Sequence, residues 1–232
     1  MNKIKLVLLI FLISQIVVAQ RTYTFDYTIG FTRQKSLEDH IAIEVAMINS
    51  KNNDYHLLIV NEGNPDLEFH FIDHKIGFET FFYLDKQEFL KANRIDLNCD
   101  LVKKIRNPKW NRKQAKKYFF KKLNDTVIND TVYNHILLRE RNKKYKSPQK
   151  RKWLDMHFIT HKDKKLDKPF MPNHYVYLTW EQIDDKEDFN FDVIKEQYAL
   201  KKGKKQWIYK FFEMKKIENK YISVPEACDF SK

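Results

Sequence analysis

The segment 22–32, TYTFDYTIGFT, alternates apolar and polar side chains over its whole length. A period of two indicates a half-buried β-strand, because successive side chains of a strand point to opposite faces of the sheet. The alternation places the apolar members on one face: Tyr23, Phe25, Tyr27, Ile29 and Phe31. Aromatic residues make up 15% of the chain, and many of them alternate with polar residues in this way. These observations favour a β-rich domain.

Two hairpins are predicted after this strand. The segments 41–48 and 55–60 flank the turn formers NSKNND, and 67–74 and 78–84 flank a turn near Gly77. Strand character returns in four later segments: 131–141, 153–160, 174–180 and 206–214.

Two helices are predicted with these strands. Asp85 followed by Glu88 suits a helix N-terminus of the capping-box type, which indicates a short helix over 86–94. In 189–203, Phe191, Ile194 and Tyr198 would share one helix face, and Gly203 would end the helix. The fold class predicted is therefore α+β and β-rich: one antiparallel sheet of about eight or nine strands with two or three helices packed against it.

The first 19 residues have the layout of a secretory signal peptide. Lys3 and Lys5 form a basic head, an apolar run follows, and the small residue Ala19 precedes the expected cut before Gln20. A membrane anchor is the alternative, but the apolar run is shorter than the ~20 residues of a spanning helix. We expect a signal peptide over 1–19, a single domain over 20–232, export to the periplasm or beyond, and no transmembrane segment after cleavage.

The chain has two cysteines, Cys99 and Cys228, and neither belongs to a CxxC pair. In an oxidising compartment two cysteines most simply form one disulfide, which would tie the C-terminal tail to the middle of the chain. Two free buried thiols are the alternative.

Basic residues are concentrated in the second half of the chain. Residues 20–94 carry 8 basic and 12 acidic side chains, whereas residues 95–232 carry 33 and 19. The segments 103–122 and 139–168 could bind anionic polymers such as lipopolysaccharide or acidic polysaccharide. The candidate residues in the first segment are Lys103, Lys104, Arg106, Lys109, Arg112, Lys113, Lys116 and Lys117. Nucleic acid is disfavoured, because the chain has 35 lysines against 8 arginines and carries an export signal.

A six-residue pattern with two histidines occurs twice, as HFIDHK at 70–75 and HFITHK at 157–162. On a strand, residues four apart lie about 13 Å apart, so neither pair can chelate one ion. The second position is phenylalanine, so the glutamate of an HExxH protease motif is missing. A cross-strand metal site would require the two segments to pair. We interpret all four histidines as polar-face residues and expect no metal and no other cofactor.

The predicted order of elements resembles the open half-barrel sheets of LolA/LolB-type lipoprotein carriers and of small envelope proteins such as the GLPGLI group. This resemblance implies a half-barrel sheet. The GLPGLI string and a lipoprotein cysteine are absent, so no functional residue carries over.

Three functional hypotheses follow, and the sequence favours a non-enzyme without deciding the question. The first is an exported, non-catalytic envelope protein that binds an apolar ligand or a protein segment on a concave sheet face. The lining would be drawn from aromatic residues: Tyr23, Phe25, Tyr27, Phe69, Phe71 and Phe82. The second is attachment to an anionic polymer through the two basic segments. The third is a hydrolase, although no known catalytic motif is present and no catalytic residue can be named.

Overall fold

The structure is a computed structural model that describes residues 20–60, 65–141, 155–163, 165–189, 191–201 and 203–228. The described residues form thirteen strands: β1 (Gln20–Ser36), β2 (Ala42–Asn49), β3 (Asn52–Val60), β4 (Asp66–Asp73), β5 (Phe78–Asp85), β6 (Arg94–Asp96), β7 (Val102–Lys104), β8 (Tyr118–Lys122), β9 (Thr126–Ile128), β10 (Thr131–Glu140), β11 (Asp155–Thr160), β12 (Ile194–Lys201) and β13 (Lys204–Pro225). They also form three α-helices: α1 (Lys86–Lys91), α2 (Pro108–Ala115) and α3 (His174–Trp180). Single 3₁₀ turns lie at Cys99–Leu101 and Glu187–Phe189.

The strands belong to one open sheet in the order β7-β5-β4-β3-β2-β1-β13-β12-β11-β10-β8, with β6 beside β13 and β9 beside β10. Every pair is antiparallel except β6 with β13, which is parallel. The predicted α+β, mainly antiparallel class is confirmed. The sheet is larger than the predicted eight or nine strands. Of the strands not predicted, β6, β7 and β9 have three residues each and are too short to show a period, β8 lies in the basic segment 103–122, and β12 was predicted as a helix.

Both predicted hairpins are confirmed, as β2–β3 and β4–β5. Gly77 lies in the second turn with a φ of 90°, a conformation that glycine adopts without steric cost.

The segment 174–180, predicted as a strand, is the helix α3. Its buried residues include Val176, Tyr177 and Trp180, which is the spacing of one helix face. Aromatic and β-branched residues favour strands only when their surroundings are a sheet surface. Here these side chains lie on the helix α3 and pack against the sheet, so tertiary packing overrides their local preference for a strand.

The segment 189–203, predicted as a helix, instead contains β12. The register with β11 shifts at this point, since Thr160 pairs with Ile194 whereas Ile159 pairs with Glu196. The shift interrupts the strand period at Ile194. The three residues of the predicted helix face are divided: Phe191 precedes β12, Ile194 is buried, and Tyr198 is half-buried and stacks on His157. Gly203, with a φ of 81°, lies in the turn from β12 to β13 rather than at a helix end.

The alternating apolar residues of β1 are divided between two cores. Tyr23 and Phe25 belong to the α1 core, which includes Met47, Leu57, Phe69, Phe71, Phe82 and Phe89. Ile29 and Phe31 belong to the α3 core, which includes Ala46, Phe120, Ile136, Phe158, Val176 and Trp180. The pairing of β1 with β13 shifts register between Phe25 and Tyr27. Such a shift re-aims the side chains of a strand, so the prediction of a single face was wrong.

Cys99 and Cys228 form a disulfide, as predicted. Cys99 opens the 3₁₀ turn after β6, and Cys228 follows β13, the strand with which β6 pairs. The bond therefore fixes the end of β13 to the middle of the chain.

Candidate functional site

A pocket of about 530 Å³ lies between the helix α1 and the sheet. Its volume is within the range of about 300–1,000 Å³ typical of small-molecule sites. Most of its lining is apolar, and the lining residues are Thr28, Ile43, Val45, Met47, Ile59, Leu67, Lys86, Phe89, Leu90, Ile217 and Lys220.

The floor of the pocket is one face of three neighbouring strands. Val45 on β2 pairs with Ile59 on β3, and Ile59 pairs with Phe69 on β4. Directly paired residues share a face, and residues two apart on one strand share it as well. Met47 and Leu67 therefore point to the same side as Val45 and Ile59, which produces an apolar floor from the period of two.

The helix α1 forms one wall of the pocket. The Asp85 carboxylate accepts hydrogen bonds from the backbone N–H groups of Gln87 (2.7 Å) and Glu88 (3.1 Å), which is the predicted cap. The helix ends at Lys91 rather than at residue 94. Its Phe89 is buried and packs on Phe69, with ring centroids 4.8 Å apart.

The mouth of the pocket exposes two large apolar side chains. Ile43 on β2 is 63% exposed and Leu90 on α1 is 59% exposed. An apolar surface open to water at the entrance of an apolar pocket is the arrangement expected of a binding site.

Lys220 on β13 attaches that strand to α1. Its ammonium group donates to the backbone carbonyls of Phe89 and Ala92 and lies 4.9 Å from the centroid of the Phe89 ring. Partial burial lowers the pKa of Lys220.

The six aromatic residues proposed from the sequence as a lining are not among the residues that line this pocket. Tyr23, Phe25, Phe69, Phe71 and Phe82 are buried in the α1 core, and Tyr27 packs partly buried against the α3 core. Tyr23 donates a hydrogen bond to Asp73 (2.8 Å). The structure therefore brings five of the six together, beneath the pocket rather than on its surface.

The lining residues that the sequence analysis missed are aliphatic. Ile43, Val45 and Met47 alternate with polar or small residues in the segment that predicted β2. This alternation is visible in the sequence and indicates an apolar face of β2 that carries no aromatic residue. Lys220 carried no local signal, because its role depends on a helix 129 residues earlier in the chain.

The two histidine pairs do not meet, since β4 lies between β3 and β5 whereas β11 lies between β10 and β12. In the first pair, His70 contacts Glu79 (3.0 Å) and stacks on Phe81. His74 is buried under α3, so the interpretation of it as a polar-face residue was wrong.

The ring of His74 is enclosed by side chains of β3 and α3. It stacks on Tyr177, its Nδ1 lies 3.3 Å from Nδ1 of His174, and its Nε2 lies 2.9 Å from the carbonyl oxygen of Met171. Burial lowers the pKa of His74 to about 3 and that of His174 to about 4. Burial also lowers the pKa of His56, whose Nε2 has no hydrogen-bond partner among the described residues. These histidines are neutral at pH 7 and act as packing residues.

In the second pair, His157 contacts His135 on β10, with 2.8 Å between Nε2 of His135 and Nδ1 of His157. Burial lowers the pKa of His157 to about 4. Its ring stacks on Tyr198 of β12. Within the described ranges, no three His, Cys, Asp or Glu side chains gather as metal ligands.

A second candidate surface is the exposed face of α2, which the sequence analysis did not predict as a helix. Lys109, Arg112, Lys113 and Lys116 recur at helical spacing and line a depression of about 420 Å³. Four further basic residues were proposed for this site and do not line the depression: Lys103, Lys104, Arg106 and Lys117. Of these, Lys103 and Lys104 lie on the edge strand β7.

The other basic segment, 139–168, includes residues 142–154 and 164, which lie outside the described residues. In its described part, Arg139 pairs with Asp155 (3.0 Å) and Lys162 pairs with Asp125 (2.5 Å). Arg141 lies over the ring of Phe119. Contacts within the protein therefore occupy these cations.

No protein-family model matches the sequence, and no curated protein matches it. Among solved structures, PNGF-II is similar with a TM-score of 0.38 and 14% identity over 86% of this chain, which corresponds to 28% of the PNGF-II chain. The LolA superfamily protein NE2245 from Nitrosomonas europaea has a TM-score of 0.30 and 9% identity, over 84% of this chain and 86% of its own. Both TM-scores are below 0.5, so the function is argued from the residues of this chain. No helix in the described part of the chain is long and apolar enough to span a membrane.

Proposed function

We propose that this chain is an exported, non-catalytic envelope protein that binds an apolar ligand in the pocket between α1 and the sheet. The observation that carries the proposal is the pocket itself, with an apolar floor of Val45, Met47 and Ile59 and an open apolar mouth. The buried aromatic residues proposed from the sequence support this floor from below, since Phe69 packs against Phe89 of the pocket wall.

Two further observations support the remaining parts of the proposal. The disulfide between Cys99 and Cys228 is typical of an oxidising, extracytoplasmic compartment. Among the described residues, the polar lining consists of Thr28, Lys86 and Lys220. These side chains include neither a carboxylate nor an imidazole to act as a general base, which favours binding over hydrolysis.

Filling the pocket tests the proposal. A neutral apolar fluorophore such as N-phenyl-1-naphthylamine should bind the mature chain saturably, with increased emission. Val45→Trp places a large ring over the floor and should abolish that signal. The matched control is Val127→Trp on β9, where Val127 is 63% exposed and remote from the lining. Unchanged binding by the Val45 variant, or no saturable binding by the wild type, would contradict the proposal.

The cationic face of α2 supports a second function, attachment to an anionic polymer. Four cations on one helix face can bind successive charges of lipopolysaccharide or acidic polysaccharide. Neutralising Lys109, Arg112, Lys113 and Lys116 to Gln should reduce retention on immobilised heparin and lipopolysaccharide. The control neutralises four exposed lysines of β13, which are Lys204, Lys210, Lys215 and Lys216. Equal retention of the two variants would exclude a specific role for α2.

A further inference from the structure

The pocket between α1 and the sheet has charged groups of one sign. Lys86 and Lys220 are the charged residues among the described side chains that line it, and none of the lining residues is acidic. An apolar pocket whose described charged lining residues are all cations is complementary to an apolar molecule with an anionic end.

Lys220 has hydrogen-bonding capacity to spare. Its ammonium group donates to the carbonyls of Phe89 and Ala92, and an ammonium group has three donors. Within the described ranges no carboxylate forms an ion pair with it. The third donor of Lys220 is therefore available to an anionic ligand. Such a ligand would stabilise the charge of this partly buried ammonium group.

Lys86 is placed at the other end of the same helix wall. Lys86, Phe89 and Leu90 are spaced as one helix face, so the lysine lies beside the two apolar residues that line the pocket. Its side chain is exposed, which allows it to reach an anionic group at the mouth. The first turn of α1 thus supplies one cation, and the carbonyls of its last turn position the other.

The pocket volume limits the number of alkyl chains. If a methylene group occupies about the volume of one water molecule, roughly 30 Å³, then 530 Å³ accommodates one long chain rather than two. A diacyl phospholipid does not fit within the pocket.

We propose that the ligand is a single-chain amphiphile with an anionic head group, either a carboxylate or a phosphate monoester. The alkyl chain occupies the apolar floor, and the head group binds Lys220 with Lys86 as a second partner. This inference rests on the proposed apolar-ligand function and specifies the class of ligand.

Competition against the neutral fluorophore tests the head group separately from the pocket. The competitors share one alkyl chain: dodecanoate, dodecyl phosphate, dodecan-1-ol and dodecyltrimethylammonium, each below its micelle concentration. Dodecanoate or dodecyl phosphate should bind at least about tenfold more tightly than dodecan-1-ol, because a hydrogen bond to a charged group contributes about 1.5–3 kcal/mol. The anion that binds more tightly identifies the head group as a carboxylate or a phosphate monoester. Dodecyltrimethylammonium should bind most weakly.

Variants assign the effect to the two lysines. Lys220→Met and Lys86→Gln should each reduce severalfold the ratio of the affinity for dodecanoate to the affinity for dodecan-1-ol. Lys220→Arg should retain the wild-type ratio of these two affinities, because it keeps the positive charge. Lys91→Met is the matched control, because Lys91 lies on the same helix but does not line the pocket.

The outcomes separate the two proposals. If anionic and neutral competitors displace the fluorophore equally from the wild type, the anionic head group is refuted while the apolar pocket stands. If the fluorophore does not bind at all, the proposed function itself is refuted. If Lys220→Met also weakens the binding of dodecan-1-ol, then Lys220 stabilises the α1 wall, and the test depends on Lys86→Gln. If the ratio of the dodecanoate and dodecan-1-ol affinities is unchanged in Lys86→Gln, the proposal is overturned.

Discussion

Acidification from pH 7.5 to 5 should destabilise the fold through its buried histidines. His56 and His74 are buried between the sheet and α3, and burial keeps their pKa values in the folded state well below the ordinary 6.5. The unfolded chain therefore binds protons at these positions first. Because the unfolded state binds more protons, the free energy of unfolding falls as the pH drops below about 6.5.

The magnitude follows from the difference between the two states. A histidine that stays neutral in the fold at pH 5, but titrates near 6.5 when unfolded, lowers the free energy of unfolding by about 2 kcal/mol. His74, whose pKa lies at about 3, therefore accounts for about 2 kcal/mol, and the lowered pKa of His56 acts in the same direction. His157 and His174, whose pKa values lie at about 4, add less, since both are only partly buried and solvent screens their charge.

Urea unfolding at several pH values measures this effect, and single variants assign it. His56→Leu removes one buried titrating group, so its free energy of unfolding should fall less steeply below pH 6.5, by up to about 1.4 kcal/mol per pH unit. His40→Leu is the control, because His40 is exposed. Burial raises the pKa of Asp73, so this carboxyl group increases the free energy of unfolding as the pH falls, opposite to the histidines. The test is therefore the difference in pH dependence between His56→Leu and His40→Leu.

Two results would refute the reasoning. One is a free energy of unfolding that does not fall between pH 7.5 and 5. The other is a His56→Leu variant whose pH dependence equals that of His40→Leu, because the buried ring would then titrate as it does in water.

Two further predictions concern the disulfide and the helix cap. Replacing Cys99 and Cys228 together by Ser should lower the free energy of unfolding by about 5 kcal/mol, from the loop entropy of a 129-residue separation; a loss under about 1 kcal/mol in urea unfolding would contradict this. Asp85→Ala should cost about 1 kcal/mol and weaken fluorophore binding, because α1 loses its N-cap. Asp85→Asn should retain both properties, and equal behaviour of the Ala and Asn variants would show that the cap has no such role.

Local patterns were sufficient to predict features that depend on neighbouring residues. The hairpins β2–β3 and β4–β5 combine alternating side chains with turn-forming residues, and in each hairpin both signals lie within one continuous segment, Ala42–Val60 and Asp66–Asp85. The cap at Asp85 is likewise a signal of four residues. The disulfide was predictable because two cysteines allow only one pairing.

Features that depend on distant partners were not predictable from such patterns. The register shift between β11 and β12 interrupts the strand period at Ile194, so the spacing of Phe191, Ile194 and Tyr198 resembled a helix face. The aromatic segment 174–180 became α3 because it covers the sheet face that Phe158 and Phe120 occupy. In both cases the deciding contacts come from strands far away in the sequence.

The pocket shows the same division between local and distant information. The position of Ile43, Val45 and Met47 along one side of the pocket follows from the alternation within one segment. The wall of the pocket requires α1 to pack across the floor and Lys220 to hold the last turn of α1, two contacts that no local pattern specifies. The prediction of an apolar lining from the sequence therefore named aromatic residues that are buried in the cores. The residues that line the pocket are mainly aliphatic side chains such as Ile43 and Val45.

A crystal structure of residues 20–232 with a bromine-labelled fatty acid tests the central claim most directly, because anomalous scattering locates the bromine at the end of the alkyl chain. The account predicts a bromine peak between Met47, Phe89 and Ile217, with the carboxylate at Lys220. A bromine peak elsewhere, or a pocket filled by the protein's own side chains, would contradict it.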